Sequence, residues 1–228
     1  MKILEYREID KENYDNIKFI RIDPENLLIT IKDIITSFSD MSWISKFDKE
    51  YIRKSYKKRA EDTAEYLAKK IRENGDEKIV ENAGEYVVSE LARKALVNKM
   101  DYLDIPLAEL FKEQVSGNPG FDFYSANKDK IIIFGEAKYN SRQNAYGKGM
   151  EQVNKFILEQ QDISDLNDID KFFEECSLEK ANLGEKAYAV AFASKKTKSE
   201  DIIKGIINNN YYKNLAVHKE IIYLAVNI

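Results

Sequence analysis

The stretch FDFYSANKDKIIIFGEAKY, from Phe121 to Tyr139, decides the fold, because it has the pattern of two strands joined by a tight turn. The runs Phe121–Ser125 and Lys130–Tyr139 are rich in apolar residues, and the turn-forming residues Asn127–Asp129 lie between them. Short apolar runs on either side of such residues are typical of a β-hairpin. We therefore expect two antiparallel strands here, with residues 127–129 as the turn.

This hairpin brings three charged side chains to one end. Glu136 and Lys138 are two residues apart on the second strand, so their side chains leave the same face of that strand. A turn near residue 128 or 129 sets Asp122, on the first strand, opposite Glu136 or within a residue or two of it. The sequence therefore predicts that Asp122, Glu136 and Lys138 lie together at one sheet edge, open to solvent.

Two carboxylates and a lysine in this arrangement suit metal-assisted hydrolysis of a phosphodiester. Carboxylate oxygens are hard ligands of the kind that Mg²⁺ prefers, and bound Mg²⁺ polarises a phosphoryl oxygen and lowers the pKa of a bound water. A lysine can orient that water or stabilise charge that develops in the transition state. Ala137, between Glu136 and Lys138, offers a backbone carbonyl and no bulk to block a metal. The alternative is a structural salt bridge, but buried ion pairs seldom add net stability.

Hydrophobic periodicity and turn-forming residues predict the secondary structure of the rest of the chain. Strands are predicted at 2–8, 17–22, 187–194 and 220–226, and helices at 25–38, 48–74, 77–98, 106–113, 146–160, 167–178 and 200–209. This order is typical of an α/β sandwich. We expect a mixed central sheet of four to five strands flanked by helices in residues 77–228, after an N-terminal, mostly helical module in residues 1–76.

Composition narrows the class of protein. The chain has 228 residues, of which 43% are hydrophobic and 33% charged, the balance of a folded globular protein. It has no run of about 18 apolar residues and no signal-peptide core, so we expect a cytoplasmic protein without a membrane segment. One cysteine and one histidine exclude a cysteine-rich zinc site and a multi-histidine metal centre. The net charge of −4 argues against coating nucleic acid by bulk charge, but it leaves a local basic groove open.

Asp122 followed by Glu136-Ala137-Lys138 resembles the signature of the PD-(D/E)xK nuclease superfamily, an acid on one strand and acid-x-lysine on the next. The resemblance covers residues 82–194. It implies a restriction-endonuclease-like fold and a nuclease that uses Mg²⁺, with Mn²⁺ able to replace it. Asp122, Glu136 and Ala137 would then be metal ligands, and Lys138 a catalytic residue. The family's proline before the first acid is absent, since Pro119 stands three positions upstream of Asp122.

Two further residues have counterparts in that family. Its first core helix often supplies another acid, and Glu85 in NAGEYVVSEL has that place. The helix after its second strand often carries a glutamine near the metal, and Gln152 in GKGMEQVNKF has a comparable position. The resemblance therefore adds Glu85, as a metal ligand, and Gln152 to the catalytic set. Both have plainer explanations, because a glutamate early in a helix favours the helix dipole and Gln152 can cap a helix or face solvent.

Within this superfamily, the segments GEY, GFD and FGEAKY are similar to those of the nuclease subunit of the Hachiman anti-phage defence system. The narrower resemblance implies DNA rather than RNA as substrate, a role in prokaryotic defence and a helicase as protein partner. The N-terminal module is the candidate interface for that helicase. Two other functions stay open: a stand-alone type II restriction endonuclease, and a catalytically inactive nuclease-fold module that binds DNA or another protein.

Overall fold

The structure, a computed structural model, describes residues 1–72, 76–112, 120–195 and 197–228. The description includes side chains except those of residues 67, 70–72 and 76–83. The predicted helix ends at residues 74 and 113 lie outside the described residues.

A mixed sheet of six strands runs through the described part of the chain. The strands are β1 Lys2–Glu8, β2 Ile17–Asp23, β3 Phe123–Ala126, β4 Ile132–Lys138, β5 Ala187–Ser194 and β6 Glu220–Asn227. Their spatial order is β1-β2-β6-β5-β4-β3. The four inner strands, β2, β6, β5 and β4, are parallel to one another, whereas the edge strands β1 and β3 pair antiparallel with β2 and β4.

The sheet has more strands than the four to five expected from the sequence. The additional strands are β1 and β2, which extend the sheet beyond β6. In β2 the adjacent residues Phe19 and Ile20 are both buried, so both faces of this strand are covered, as in the interior of a parallel sheet. The α/β class, with a mixed sheet flanked by helices, is confirmed. The division into residues 1–76 and 77–228 stays a prediction.

Helices connect and cover these strands. The α-helices are α1 Leu27–Phe38, α2 Glu50–Arg72, α3 Asp76–Met100, α4 Tyr146–Leu158, α5 Gln161–Ile169, α6 Glu175–Asn182, α7 Ser199–Ile207 and α8 Tyr212–Ala216. Short 3-10 helices occupy Ser42–Lys46, Ala108–Leu110 and Asp170–Phe172. The placement of a helix at 167–178 is wrong, because α5 and α6 form there with a 3-10 turn between them. The buried face of α5 holds Asp162 and Asp165, and buried acids do not produce an apolar stripe in the sequence.

Helices α3 and α4 cover the part of the sheet that carries the hairpin. α3 packs against β3, β4, β5 and β6, and α4 packs against β4 and β5. Gly149 lets α4 approach closely, since a Cβ there would lie 2.7 Å from Cγ1 of Val190. Val190 pairs in register with Glu136, so α4 covers the face from which Glu136 projects. Tyr139 is three residues from Glu136, so its side chain projects from the opposite face of the sheet. There its ring contacts Gly84 of α3.

The predicted hairpin is confirmed as β3 and β4. Its register runs from Phe123 opposite Gly135 to Ala126 opposite Ile132. The Asn127 side chain closes the turn, because its Oδ1 accepts hydrogen bonds from the backbone N–H groups of residues 129 and 131 at 3.0 Å each. One further step along the register sets Asp122 opposite Glu136. The hairpin therefore brings the two carboxylates to the same end of adjacent strands.

The two longest helices are highly charged. α2 has 23 residues and α3 has 25, and about 20 residues are enough to cross a bilayer when they are predominantly apolar. The sequences EYIRKSYKKRAEDTAEYLAKKIR and DEKIVENAGEYVVSELARKALVNKM carry charged residues along their whole length. Across the described ranges, no helix combines the length and the apolar character that a membrane crossing needs.

The packing of α4 on the sheet predicts a difference between two glycines of that helix. Gly149→Ala should lower the free energy of unfolding by about 1–3 kcal/mol, because the added methyl overpacks the contact with Val190. Gly147→Ala is the matched control, since a Cβ there would lie 3.7 Å from Nδ2 of Asn209. It should be neutral or stabilising by up to about 1 kcal/mol.

Chemical denaturation of both variants measures this difference. In a double-mutant cycle, Val190→Ala should cost less stability in the Gly149→Ala background than in the wild type, because it removes the atom that the new methyl overlaps. Equal stabilities for the two glycine variants would contradict the close approach of α4.

Candidate active site

Asp122 is fixed to the second strand of the hairpin through its side chain. Its Oδ2 accepts a hydrogen bond from the backbone N–H of Ala137 at 2.7 Å, and its own backbone N–H donates to the carbonyl of Gly135 at 2.9 Å. The carboxylate of Asp122 is therefore held beside the residue that lies between Glu136 and Lys138. The structure brings these three residues together, as the sequence predicts.

Lys138 lies between two glutamates from different elements. Its Nζ is 2.8 Å from Oε1 of Glu136 on β4 and 3.7 Å from Oε1 of Glu85 on α3. The Glu136 side chain is only 4% exposed, whereas that of Glu85 is 54% exposed. The expectation that all three hairpin charges are open to solvent is therefore wrong for Glu136. The reason is that α4 covers the face of β4 from which this side chain projects.

A fourth carboxylate, Glu109, joins the cluster from the 3-10 helix at Ala108–Leu110. The backbone N–H of Ala108 donates to the carbonyl of Asp122 at 3.0 Å, which ties this turn to the hairpin. The Oε2 atom of Glu109 is buried and has no hydrogen-bond partner among the described residues. The sequence analysis missed Glu109 because IPLAELF is typical of a short packing segment. No spacing within the sequence links Glu109 to Asp122, because the two come together through the contact of this turn with the hairpin.

Burial and mutual repulsion raise the pKa values of the clustered carboxyl groups. Burial, followed by repulsion from Asp122, raises the pKa of Glu109 to about 8. Burial raises the pKa of Asp122 to about 6, although the Ala137 N–H and Lys138 act in the opposite direction. The pKa of Glu136 is raised well above its usual range by burial and then by Asp122, against the attraction of Lys138. A cation in the cluster would favour the ionised form of all three groups.

The lysine stays charged despite its surroundings. Burial lowers the pKa of Lys138, but attraction to Glu136 and a hydrogen bond with it outweigh that effect, so the pKa lies above its usual value. Lys138 therefore carries a full positive charge at neutral pH. Because it has three N–H donors, it can contact Glu136 and still present a donor to a bound phosphate.

The donor atoms of the cluster fit a hard divalent cation. Oε2 of Glu136 and Oε2 of Glu109 are both buried without a hydrogen-bond partner in the described part of the chain, and an unsatisfied buried acceptor is costly. Within the same residues, no group of three or more His, Cys, Asp or Glu side chains is arranged to hold a metal ion. Mg²⁺ does not require such a group, since it usually keeps several waters and binds through one or two carboxylates.

The remaining predicted residues lie at different distances from this cluster. Ala137 is fully buried, and its N–H holds Asp122. Glu85 reaches the cluster from an exposed position on α3, through its ion pair with Lys138. Gln152 is half-buried on α4, and none of the described hydrogen bonds joins it to the cluster. A Cβ on Gly149, three residues earlier, would lie 3.8 Å from Cγ of Lys138, so α4 does pass close to the lysine.

Comparisons with protein-family models, with curated proteins and with solved structures find no match for this chain.

Oε2 of Glu109 is buried without a hydrogen-bond partner in the described ranges, and this predicts an unusual response to Glu109→Gln. Neutralising Glu109 should raise the melting temperature of the metal-free protein at pH 8, because it removes the cost of burying an ionised carboxylate and, after that, the repulsion with Asp122; each kcal/mol corresponds to about 2–4 °C in a chain of this size. The same change should reduce the additional stabilisation that millimolar Mg²⁺ provides. Thermal melts with and without Mg²⁺ measure both effects.

The control is Glu151→Gln, an exposed position on α4, which should change stability by no more than about 0.5 kcal/mol. A lower melting temperature for metal-free Glu109→Gln would contradict the account, since it would mean that the ionised Glu109 stabilises the fold.

Proposed function

We propose that this chain is a metal-dependent deoxyribonuclease that hydrolyses phosphodiester bonds of DNA. One observation carries the proposal: the hydrogen bond from Ala137 to Asp122 holds an acid beside the sequence Glu136-Ala137-Lys138, where a buried carboxylate oxygen of Glu136 has no hydrogen-bond partner among the described residues. This arrangement concentrates negative charge in a partly dry site next to one fixed positive charge. Mg²⁺ would compensate the negative charge of the carboxylates, and Lys138 would face the anionic phosphodiester.

The residues of the cluster have different roles in this proposal. Asp122 and Glu136 would hold Mg²⁺, with the carbonyl of Ala137 as a further ligand and Glu85 in an outer position. Bound Mg²⁺ supplies Lewis-acid polarisation of the phosphoryl oxygen and a water of lowered pKa. Lys138 orients the attacking water or stabilises the negative charge that develops on the phosphoryl oxygens, an effect worth on the order of 10²–10³ in rate for one positioned donor.

The setting of this activity rests on the sequence resemblance. We propose that the protein acts in the cytoplasm in prokaryotic anti-phage defence, with a helicase that engages the DNA. No G-x-x-x-x-G-K-[ST] motif occurs in the sequence, so the motor function would come from the partner. Residues 1–76 are the candidate interface. Mn²⁺ is expected to replace Mg²⁺, because both favour oxygen ligands.

Substitutions that keep side-chain size test the catalytic roles. Glu136→Gln should abolish cleavage of DNA, because it removes a ligand charge, whereas Lys138→Met should reduce the rate by about 10²–10³ while metal binding is largely retained. Lys128→Met is the control: it removes a lysine that is 68% exposed in the hairpin turn, and it should leave the rate unchanged. Cleavage of plasmid and linear DNA, with Mg²⁺ or with EDTA, measures all three.

The same assay separates the alternatives. Sequence-specific cutting by the protein alone would favour a stand-alone restriction endonuclease, and DNA binding without cleavage, even with a helicase partner, would favour an inactive module. If Glu136→Gln and Lys138→Met lower the melting temperature but leave activity per folded molecule unchanged, the pair is a structural salt bridge and the proposal fails.

A further inference from the structure

Two buried aspartates project from the same face of α5. Asp162 and Asp165 are three residues apart, which places them on neighbouring turns of one helix face, and they are 3% and 2% exposed. A buried carboxylate is costly unless donors surround it. The hydrogen-bond partners of each aspartate therefore show which chain segments α5 stabilises.

Asp165 accepts four hydrogen bonds from residues that the structure describes. Its Oδ1 accepts from Nζ of Lys112 at 2.6 Å and from Nε2 of Gln161 at 3.0 Å. Its Oδ2 accepts from the hydroxyl of Tyr124 at 2.6 Å and from the backbone N–H of Phe121 at 3.1 Å. Each oxygen is thus used twice, and the pair with Lys112 is charge-assisted, which makes it one of the stronger contacts.

The partners of Asp165 lie on either side of Asp122. Phe121 immediately precedes Asp122, and Tyr124 follows it by two residues on β3. Lys112 lies three residues after Glu109, just beyond the 3-10 turn whose backbone bonds to Asp122. Asp165 therefore connects the chain segment that carries Asp122 with the segment that carries Glu109, although it belongs to a different element.

A buried ion pair of this kind is not needed for stability alone. Replacing buried ion pairs by well-packed apolar residues is often neutral or stabilising. The ring of Phe121 already packs against Phe134 and Phe156, with centroids 5.3 and 5.0 Å apart. What the apolar contacts do not fix is the direction of the backbone N–H of Phe121, and that direction sets where the next residue, Asp122, points.

We propose that Asp165 is a positioning residue that holds Asp122 against Ala137, and so keeps the candidate site assembled. Its consequence for metal binding rests on the proposed nuclease function. Groups that orient metal ligands through hydrogen bonds typically change metal affinity or activity by 10–100-fold when they are mutated.

Asp162 provides a matched control on the same helix. Its Oδ2 accepts from Nζ of Lys186 at 2.6 Å and from the hydroxyl of Tyr188 at 2.5 Å. It is thus a buried aspartate with a lysine and a tyrosine as partners, like Asp165, but it holds the beginning of β5. Asp165→Asn and Asp162→Asn remove the same charge from the same helix, and only the first touches the segments that flank Asp122.

The first measurement is hydrogen exchange of the metal-free proteins. Asp165→Asn puts an amide nitrogen where two donors need an acceptor, so Asp122 should shift and the Ala137 N–H should lose its partner. Exchange at Ala137 and in residues 120–126 should become on the order of tenfold faster. Asp162→Asn should leave Ala137 unchanged. Tyr124→Phe keeps the charge and removes one of the four hydrogen bonds, so it should give a smaller increase and a folded protein.

The second measurement is the Mg²⁺ concentration that gives half-maximal thermal stabilisation. It should rise about 10–100-fold for Asp165→Asn and stay at the wild-type value for Asp162→Asn. Unchanged exchange at Ala137 in both Asp165→Asn and Tyr124→Phe, or equal effects of the two asparagine variants on it, would overturn the positioning role. Faster exchange at Ala137 in a protein whose wild type shows no response to Mg²⁺ would support that role and reject the proposed nuclease instead.

Discussion

A carboxylate buried beside a lysine is the interaction on which the rest of the candidate site depends. Glu136 is almost fully buried, with one oxygen on Lys138 and the other without a partner among the described residues. A buried carboxylate that is only half satisfied costs free energy, because neither solvent nor protein compensates it fully. Burial also raises the pKa of Asp122 and Glu109 nearby. A fold selected for stability alone would not collect these groups in one place.

The sheet explains how such a site can persist. β4 lies between β3 and β5, so the backbone around Glu136 is held from both sides by hydrogen bonds. At Ala137, the side chain of Asp122 accepts the hydrogen bond from the backbone N–H, where a backbone carbonyl would be the acceptor in a regular sheet. The cost of the clustered charges is offset by the apolar core of β4 and β5. This separation of a rigid scaffold from a destabilised site is common where a protein binds or transforms a charged ligand.

The sequence alone predicts the part of the site that depends on local geometry. Strand alternation places Glu136 and Lys138 on one face, and the turn length places Asp122 near them; both follow from spacings of a few residues. Glu109 and Asp165 could not be found in this way, because they reach the site through contacts of Ala108 with Asp122 and of α5 with β3. Likewise, the strand periodicity of β2 predicts a strand but not its parallel neighbour β6, which lies about two hundred residues further along the chain.

The most direct test of the central claim is to locate a metal ion. Crystals soaked in Mn²⁺ should show an anomalous difference peak at the end of the hairpin, about 2.0–2.6 Å from carboxylate oxygens of Glu136 and Asp122. Glu136→Gln crystals treated in the same way should lack that peak. Full-occupancy Mn²⁺ elsewhere in the crystal, with none beside Glu136 in the wild-type protein, would contradict the account and leave the hairpin charges as a structural ion pair.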